Sequence, residues 1–277
     1  KDIFEYFSLH SNHILCRRLI TFIPLIYTLL ENKSSLNSIL NNKTKLIGFG
    51  SGSGFIEALL SIIFECSAEL YDIKPPSCRA LLNLLNKSEN INYNVISVED
   101  LQSQIIEGDL HVSCQTLEHI HDWKSALRKM VETVNRNNCY IYVDVPFFNE
   151  SVTLEKLKEG IISKYELINE KERQWNKYEH YHLGFTKNDL EKELLTHGFE
   201  IVDYGYYSHH RYDDRILKIL LEANYNRDCN DEESAFIFNN MYTSYQAMKI
   251  LCDQNSLGEL TFKDKLADAN FVLARKS

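Results

Sequence analysis

The sequence predicts an α/β fold: a doubly wound, mostly parallel sheet of seven strands, with a helical N-terminal segment and a helical insertion forming a cap. Three observations predict it. From Lys45 onward, short apolar strand patterns alternate with helical ones, the order that right-handed βαβ crossovers require. The first strand runs into a turn with glycine at alternate positions, Gly48-Phe49-Gly50-Ser51-Gly52-Ser53-Gly54. The 277 residues are 44% hydrophobic and 25% charged, enough for one large α/β domain or a core with a small cap, and without a mark of disorder.

The elements follow in order. Ile14 to Leu30 and Leu36 to Leu40 read as helices and make residues 1–44 an N-terminal cap segment. Lys45 to Phe49 is the first strand, and Phe55 to Phe64 a buried helix. Glu69 to Ile73 is the second strand, stopped by Pro75 and Pro76, with a helix near Cys78 to Leu85 behind it. Strands at Tyr93 to Val98 and Asp109 to Cys114, a helix at Trp123 to Val134 and a strand at Cys139 to Val145 complete the first run. Thr186 caps a helix at Lys187 to Leu195, and Glu200 to Tyr206 is the sixth strand. The core is therefore expected at 45–208, a helical insertion containing Arg215 to Leu251 at 209–267, and a last core strand within 268–277, at Asn270 to Ala274. Ligands in such sheets bind at the carboxyl ends of the strands.

Composition narrows the partners. A formal net charge of −9 opposes binding to a phosphate backbone, so nucleic acid is not expected. The longest apolar run, Leu19 to Leu30, is interrupted by Pro24 and falls short of the roughly 20 residues that cross a bilayer, so no membrane partner is expected either. No charged-apolar-small leader pattern precedes that run. Seven scattered cysteines with no C-x-x-C spacing fit reduced core thiols in a cytoplasmic protein. Nothing in the sequence fixes the oligomeric state.

Glycine between a strand and a helix permits positive φ and close approach of a ligand to backbone N–H groups. The dinucleotide fingerprint G-x-G-x-x-G fails here, because Phe55 follows Gly50 and Gly52 where the third glycine belongs. The P-loop fails as well, lacking G-K-[ST]. Asp72 lies 18 residues beyond Gly54, at the end of the second strand, where a carboxylate can accept hydrogen bonds from both hydroxyls of a ribose. Taken singly, the glycines suit tight packing and Asp72 a helix cap. Taken together at this spacing they point to a nucleoside cofactor.

The glycine turn, Asp72 and the later Asp109-Leu110-His111-Val112-Ser113-Cys114-Gln115-Thr116-Leu117-Glu118-His119-Ile120 resemble the class I S-adenosylmethionine-dependent methyltransferases, over roughly Lys45 to Tyr206. The resemblance implies a Rossmann-like core, S-adenosylmethionine as cofactor and S-adenosylhomocysteine as product. It implies a cofactor site of Gly50, Ser51, Gly52, Gly54, Asp72, Ile73, Ser97, Val98, Cys114 and Gln115. Two positions depart from the family. Gly48 stands where it usually has Asp or Glu, and Ser97 where an adenine-contacting aspartate is common.

For the chemistry, Glu118 and His119 are placed at the carboxyl edge of the sheet, where a base removes the proton of a hydroxyl being methylated. A later histidine, His182, precedes Thr186 as in the family and completes the catalytic candidates. Some relatives bind a divalent metal with E-x-x-E-H and that later histidine; here Gln115 replaces the first carboxylate, which lowers affinity, so no metal is expected and Glu118, His119 and His182 are the ligands on offer. The segment Tyr204 to Tyr212, rich in aromatics and histidine, reads either as an acceptor pocket or as strand-end decoration. The expected activity is methyl transfer to a small molecule, on an oxygen of a sugar or hydroxylated metabolite. Nitrogen or carbon acceptors and a non-catalytic nucleoside-binding scaffold are the alternatives.

Overall fold

A computed structural model describes residues 25, 28, 29, 32, 42–52, 54–74, 90–96, 106–133, 139–147, 180–182, 184–207 and 269–276. The helices expected at Leu36 to Leu40, Cys78 to Leu85 and Arg215 to Leu251 lie outside these residues, as does most of Ile14 to Leu30. The chain divides into two compact units, Lys1–Glu31 with Gly205–Asp268 and Asn32–Tyr204 with Ala269–Ser277. Among the described residues, no helix is long and apolar enough to cross a membrane.

Seven strands form one sheet: β1 (Lys45–Phe49), β2 (Ser67–Asp72), β3 (Ile91–Val95), β4 (Leu110–Cys114), β5 (Tyr140–Pro146), β6 (Phe199–Tyr207) and β7 (Ala269–Lys276). Their order is β3-β2-β1-β4-β5-β7-β6. β1 pairs in parallel with β2 and β4, β2 with β3, and β4 with β5, whereas β7 runs antiparallel to β5. The expected sheet is the one the chain forms.

Pairing moves the ends of some elements. β2 starts and ends earlier than its apolar pattern, because the Asp72 carboxylate accepts the Lys74 N–H and turns the chain. Ile73 is left outside the strand, with its side chain exposed. β3 shifts with its partner, its five residues matching Ala68 to Asp72, and stops at Val95, short of Val98. β7 continues past Ala274 through Arg275 and Lys276, because its register with Tyr140 to Pro146 satisfies the backbone regardless of side-chain polarity.

β4 is buried throughout and β5 almost so, as strands covered on both faces must be. Helix α1 (Phe55–Phe64) follows the glycine turn. Helix α2 (Trp123–Thr133) buries Trp123, Leu127, Met130 and Val131 at helical spacing. Helix α3 (Lys187–Thr196) buries Leu190 and Leu194, and both helices share a core cluster with Ile47, Ile141 and Val143 of the sheet. Thr186 caps α3 in a reciprocal box with Asp189. Asp122 accepts the Ser125 N–H and hydroxyl ahead of α2, which holds its carboxyl below the usual range.

Polar groups interrupt this core. His111 of β4 is in register with Ile47 and Ile141 and stacks on Phe49 at 5.7 Å. Burial pushes its imidazole down to about 4, against a smaller opposite pull from the Gly108 backbone. Cys66, Cys114 and Cys139 are buried, and burial pushes the Cys66 thiol up to about 11, away from the reactive thiolate.

Candidate functional site

The site begins where β1 ends. Its two neighbours, β2 and β4, lead to opposite halves of the sheet, which is the switch point where open α/β sheets bind ligands. Gly50, Gly52 and Gly54 all take positive φ, at 63°, 54° and 68°. Gly50 is confined twice over, since a Cβ there would fall 2.1 Å from Thr116 Cγ2. The turn is tied to β2: the N–H groups of Gly50 and Ser51 both donate to Tyr71 O, at 2.9 and 3.2 Å.

Asp72 closes the turn. Its Oδ2 accepts the Gly52 N–H at 2.7 Å and its Oδ1 the Lys74 N–H at 2.9 Å. Each carboxylate oxygen keeps a lone pair for a further donor, such as a ribose hydroxyl. Tyr93 braces the same corner, donating to Gly52 O at 2.8 Å with Lys74 O also in reach at 3.2 Å. Burial, then the charges of Asp72 and Glu57, push its phenol upward, so it remains a donor.

Across the switch point, Cys114 ends β4 and Gln115 turns the chain with φ 52°. The Gln115 N–H donates to Asp144 O at 2.8 Å, and its side-chain amide donates to the Asp144 carboxylate. Asp144 is fully buried on β5. This pair explains why an amide stands at 115, since a carboxylate there would face a second buried carboxylate and one would have to take up a proton. Thr116 Oγ1 lies 3.1 Å from Gly50 O and 3.2 Å from Cys114 O, linking the two loops.

Next comes a single 3-10 turn, Leu117–His119. Glu118 is buried, and His119 Nε2 lies 3.8 Å from its Oε1. The third member of the cluster is His180, whose ring meets that of His119 edge-on at 4.6 Å. Burial, reinforced by His119, pushes the His180 imidazole down to about 4. His182, expected beside Glu118 and His119, points elsewhere: its Nε2 lies 3.1 Å from the carbonyls of both Ile120 and His121, to which it donates. The cause is a bend at Tyr181, where the N–H groups of Tyr181 and His182 converge on Glu118 O. The metal-ligand geometry shifts likewise. One ligand atom from each of Glu118, His119 and His180 falls within 4.8 Å of the others.

No protein-family model matches the chain, and no curated protein does. Solved structures do match. A protein assigned as a sarcosine dimethylglycine methyltransferase from Galdieria sulphuraria is similar over 90% of this chain and 84% of its own, with 13% identity and a TM-score of 0.56. The cyclopropane synthase MmaA2 from Mycobacterium tuberculosis has the same coverage and TM-score, 0.56, at 14% identity. The mycolic acid cyclopropane synthase CmaA1, complexed with S-adenosylhomocysteine and CTAB, is similar over 90% of this chain at 12% identity and the same TM-score of 0.56. This chain has the class I methyltransferase fold.

Within that methyltransferase fold, Gly50, Ser51, Gly52, Gly54 and Asp72 gather at one corner, while Cys114, Gln115, Glu118 and His119 follow one another out of β4. Ser97 and Val98 lie outside the described residues, as do His209 and His210. Tyr204 is covered by the Lys187 ammonium, 4.5 Å from its ring centroid. Three residues escaped the sequence reading. Tyr93 gave no signal beyond its strand, and His180 is hidden by the nearby His182. Asp144 did leave one, a lone carboxylate inside the apolar run Tyr140-Ile141-Tyr142-Val143-Asp144-Val145.

Proposed function

We propose that the protein is an S-adenosylmethionine-dependent methyltransferase acting on a small-molecule acceptor, at an oxygen of a sugar or hydroxylated metabolite. The observation that carries the reading is the bond from Gly52 N–H to Asp72 Oδ2, which joins the glycine turn and the acid into one cradle at the switch point. The residues fit the cofactor. The left-handed glycines leave the turn without side chains, Asp72 has spare lone pairs, and Ser51 offers a buried hydroxyl.

The cofactor supplies a methyl group on a positively charged sulfur. In the transfer the sulfur–carbon bond breaks, an oxygen–carbon bond forms and the acceptor proton must leave. His119 is the proposed base, because its ring is the more open of the two histidines and its Nε2 stands 3.8 Å from the Glu118 carboxylate, which can orient it. His180 stays neutral down to about 4, which suits it to accept a hydrogen bond and not to store a proton. The same three side chains are those a divalent ion would use. The reading remains metal-free, with Gln115 held as an amide by Asp144.

The test is incubation with methyl-labelled cofactor and an acceptor panel, with and without EDTA. Transfer to a hydroxyl acceptor is expected to survive EDTA and to fall by about a hundredfold in His119→Ala, with S-adenosylhomocysteine affinity unchanged. Cofactor binding without transfer to any acceptor would favour the scaffold alternative. Loss of transfer in EDTA would make the cluster a metal centre.

A further inference from the structure

Gly48 lies inside β1, paired with Leu70 and Val112, and its φ is not positive. Glycine weakens a strand interior, so a glycine that the backbone conformation does not require marks a close approach. What approaches is polar. A Cβ at Gly48 would fall 2.3 Å from Ser51 Oγ and 2.8 Å from both Cγ and Oε1 of Glu57. Glu57, in the first turn of α1, thus places its carboxylate in the space that a side chain at 48 would fill. Ser51 Oγ, in a residue only 8% exposed, has no hydrogen-bond partner among the described residues and is aimed at the same spot.

We infer that Glu57, reaching through the gap left by Gly48 and flanked by Ser51, is the residue that binds the ammonium group of the cofactor's methionine end. The assignment rests on the cofactor reading above. The physical case is one of charge. The α1 N-terminus suits the carboxylate of an amino-acid end, and the buried carboxylate of Glu57 repels that group while attracting the ammonium. An acceptor-only carboxylate and a hydroxyl with free lone pairs also match the three N–H donors of an ammonium. The departure at 48 and the acid at 57 become one exchange, in which the carboxylate comes from the helix instead of the strand.

Calorimetry with two ligands tests this. S-adenosylhomocysteine carries the amino-acid end, and 5′-methylthioadenosine keeps the nucleoside and thioether without it. Glu57→Gln is expected to weaken the first by about tenfold or more, the scale of a charge-assisted hydrogen bond, and to leave the second within about twofold. Glu57→Asp, which keeps the charge, should show a smaller loss and serves if Glu57→Gln does not fold. Gly48→Asp alone should fail for lack of room, whereas the Gly48→Asp/Glu57→Ala double variant should recover affinity over Glu57→Ala. Equal weakening of both ligands, or no weakening of either, overturns the ammonium assignment and leaves the cofactor reading standing. A wild-type protein that binds neither ligand overturns the cofactor reading and the assignment with it.

Discussion

The two loops that leave the sheet at the switch point are built differently. The loop after β1 is made by backbone: three left-handed glycines, N–H groups donating to Tyr71 O and Asp72, and a carbonyl accepting from Tyr93. These parts come from residues 48–93, and Thr116 ties them to the second loop. The loop after β4 is made by side chains that meet one another, Gln115 with Asp144 and His119 with His180. The first arrangement tolerates almost no substitution because its conformation is the function. The second can exchange one side chain for another, as Gln115 shows, provided its buried partner is matched.

The largest expected effect falls on the backbone-made loop. Gly50→Ala combines a φ of +63° with a 2.1 Å approach to Thr116 Cγ2. About 3 kcal/mol should be lost to left-handed strain and overpacking, together with S-adenosylhomocysteine binding. Urea midpoints and calorimetry read both. Wild-type values would break the claim that this loop is fixed by its backbone.

A second prediction probes the strand that leads into the other loop. The folded pKa of His111, about 4, lies below its ordinary value of 6.5, so between the two the unfolded chain binds more protons. Stability from this group is complete above about pH 6.5 and is lost as pH falls toward 4. Between pH 7 and pH 5 the loss should be roughly 2 kcal/mol in urea unfolding. His111→Leu should remove that share of the slope. His180 is shifted in the same direction, and the slope left over in His111→Leu is its share; a slope unchanged by the substitution would move the titration to the histidine cluster.

The smallest effect belongs to the segment that carries His180. It runs into the Thr186 cap of α3, where both halves of the capping box are present. Thr186→Ala is expected to cost about 1 kcal/mol and to leave S-adenosylhomocysteine affinity unchanged. A fall in that affinity would mean that the two loops are energetically coupled.

The same contrast governs what the sequence disclosed. β1, α1 and the glycine turn appear at the expected residues because local rules set them: apolar alternation, a run of glycines, a helix start. Asp72 could be placed because the crossover from β1 to β2 has a narrow range of lengths. His182 was expected where His180 stands because spacing alone does not register the bend at Tyr181, which depends on a carbonyl 63 residues earlier, that of Glu118. Asp144 and Glu57 were readable only as acids in apolar surroundings. Their partners, Gln115 and the gap at Gly48, emerge once the strands are set side by side.

Phe185 carries one more consequence. Its N–H donates to Pro146 O at 2.8 Å, its carbonyl accepts from Asn270 Nδ2 at 2.9 Å, and it bridges in parallel to Phe147. Residues 147 and 185 are therefore held side by side at the end of β5. The segment that carries His180 into the α3 cap is thereby anchored to the ends of both β5 and β7.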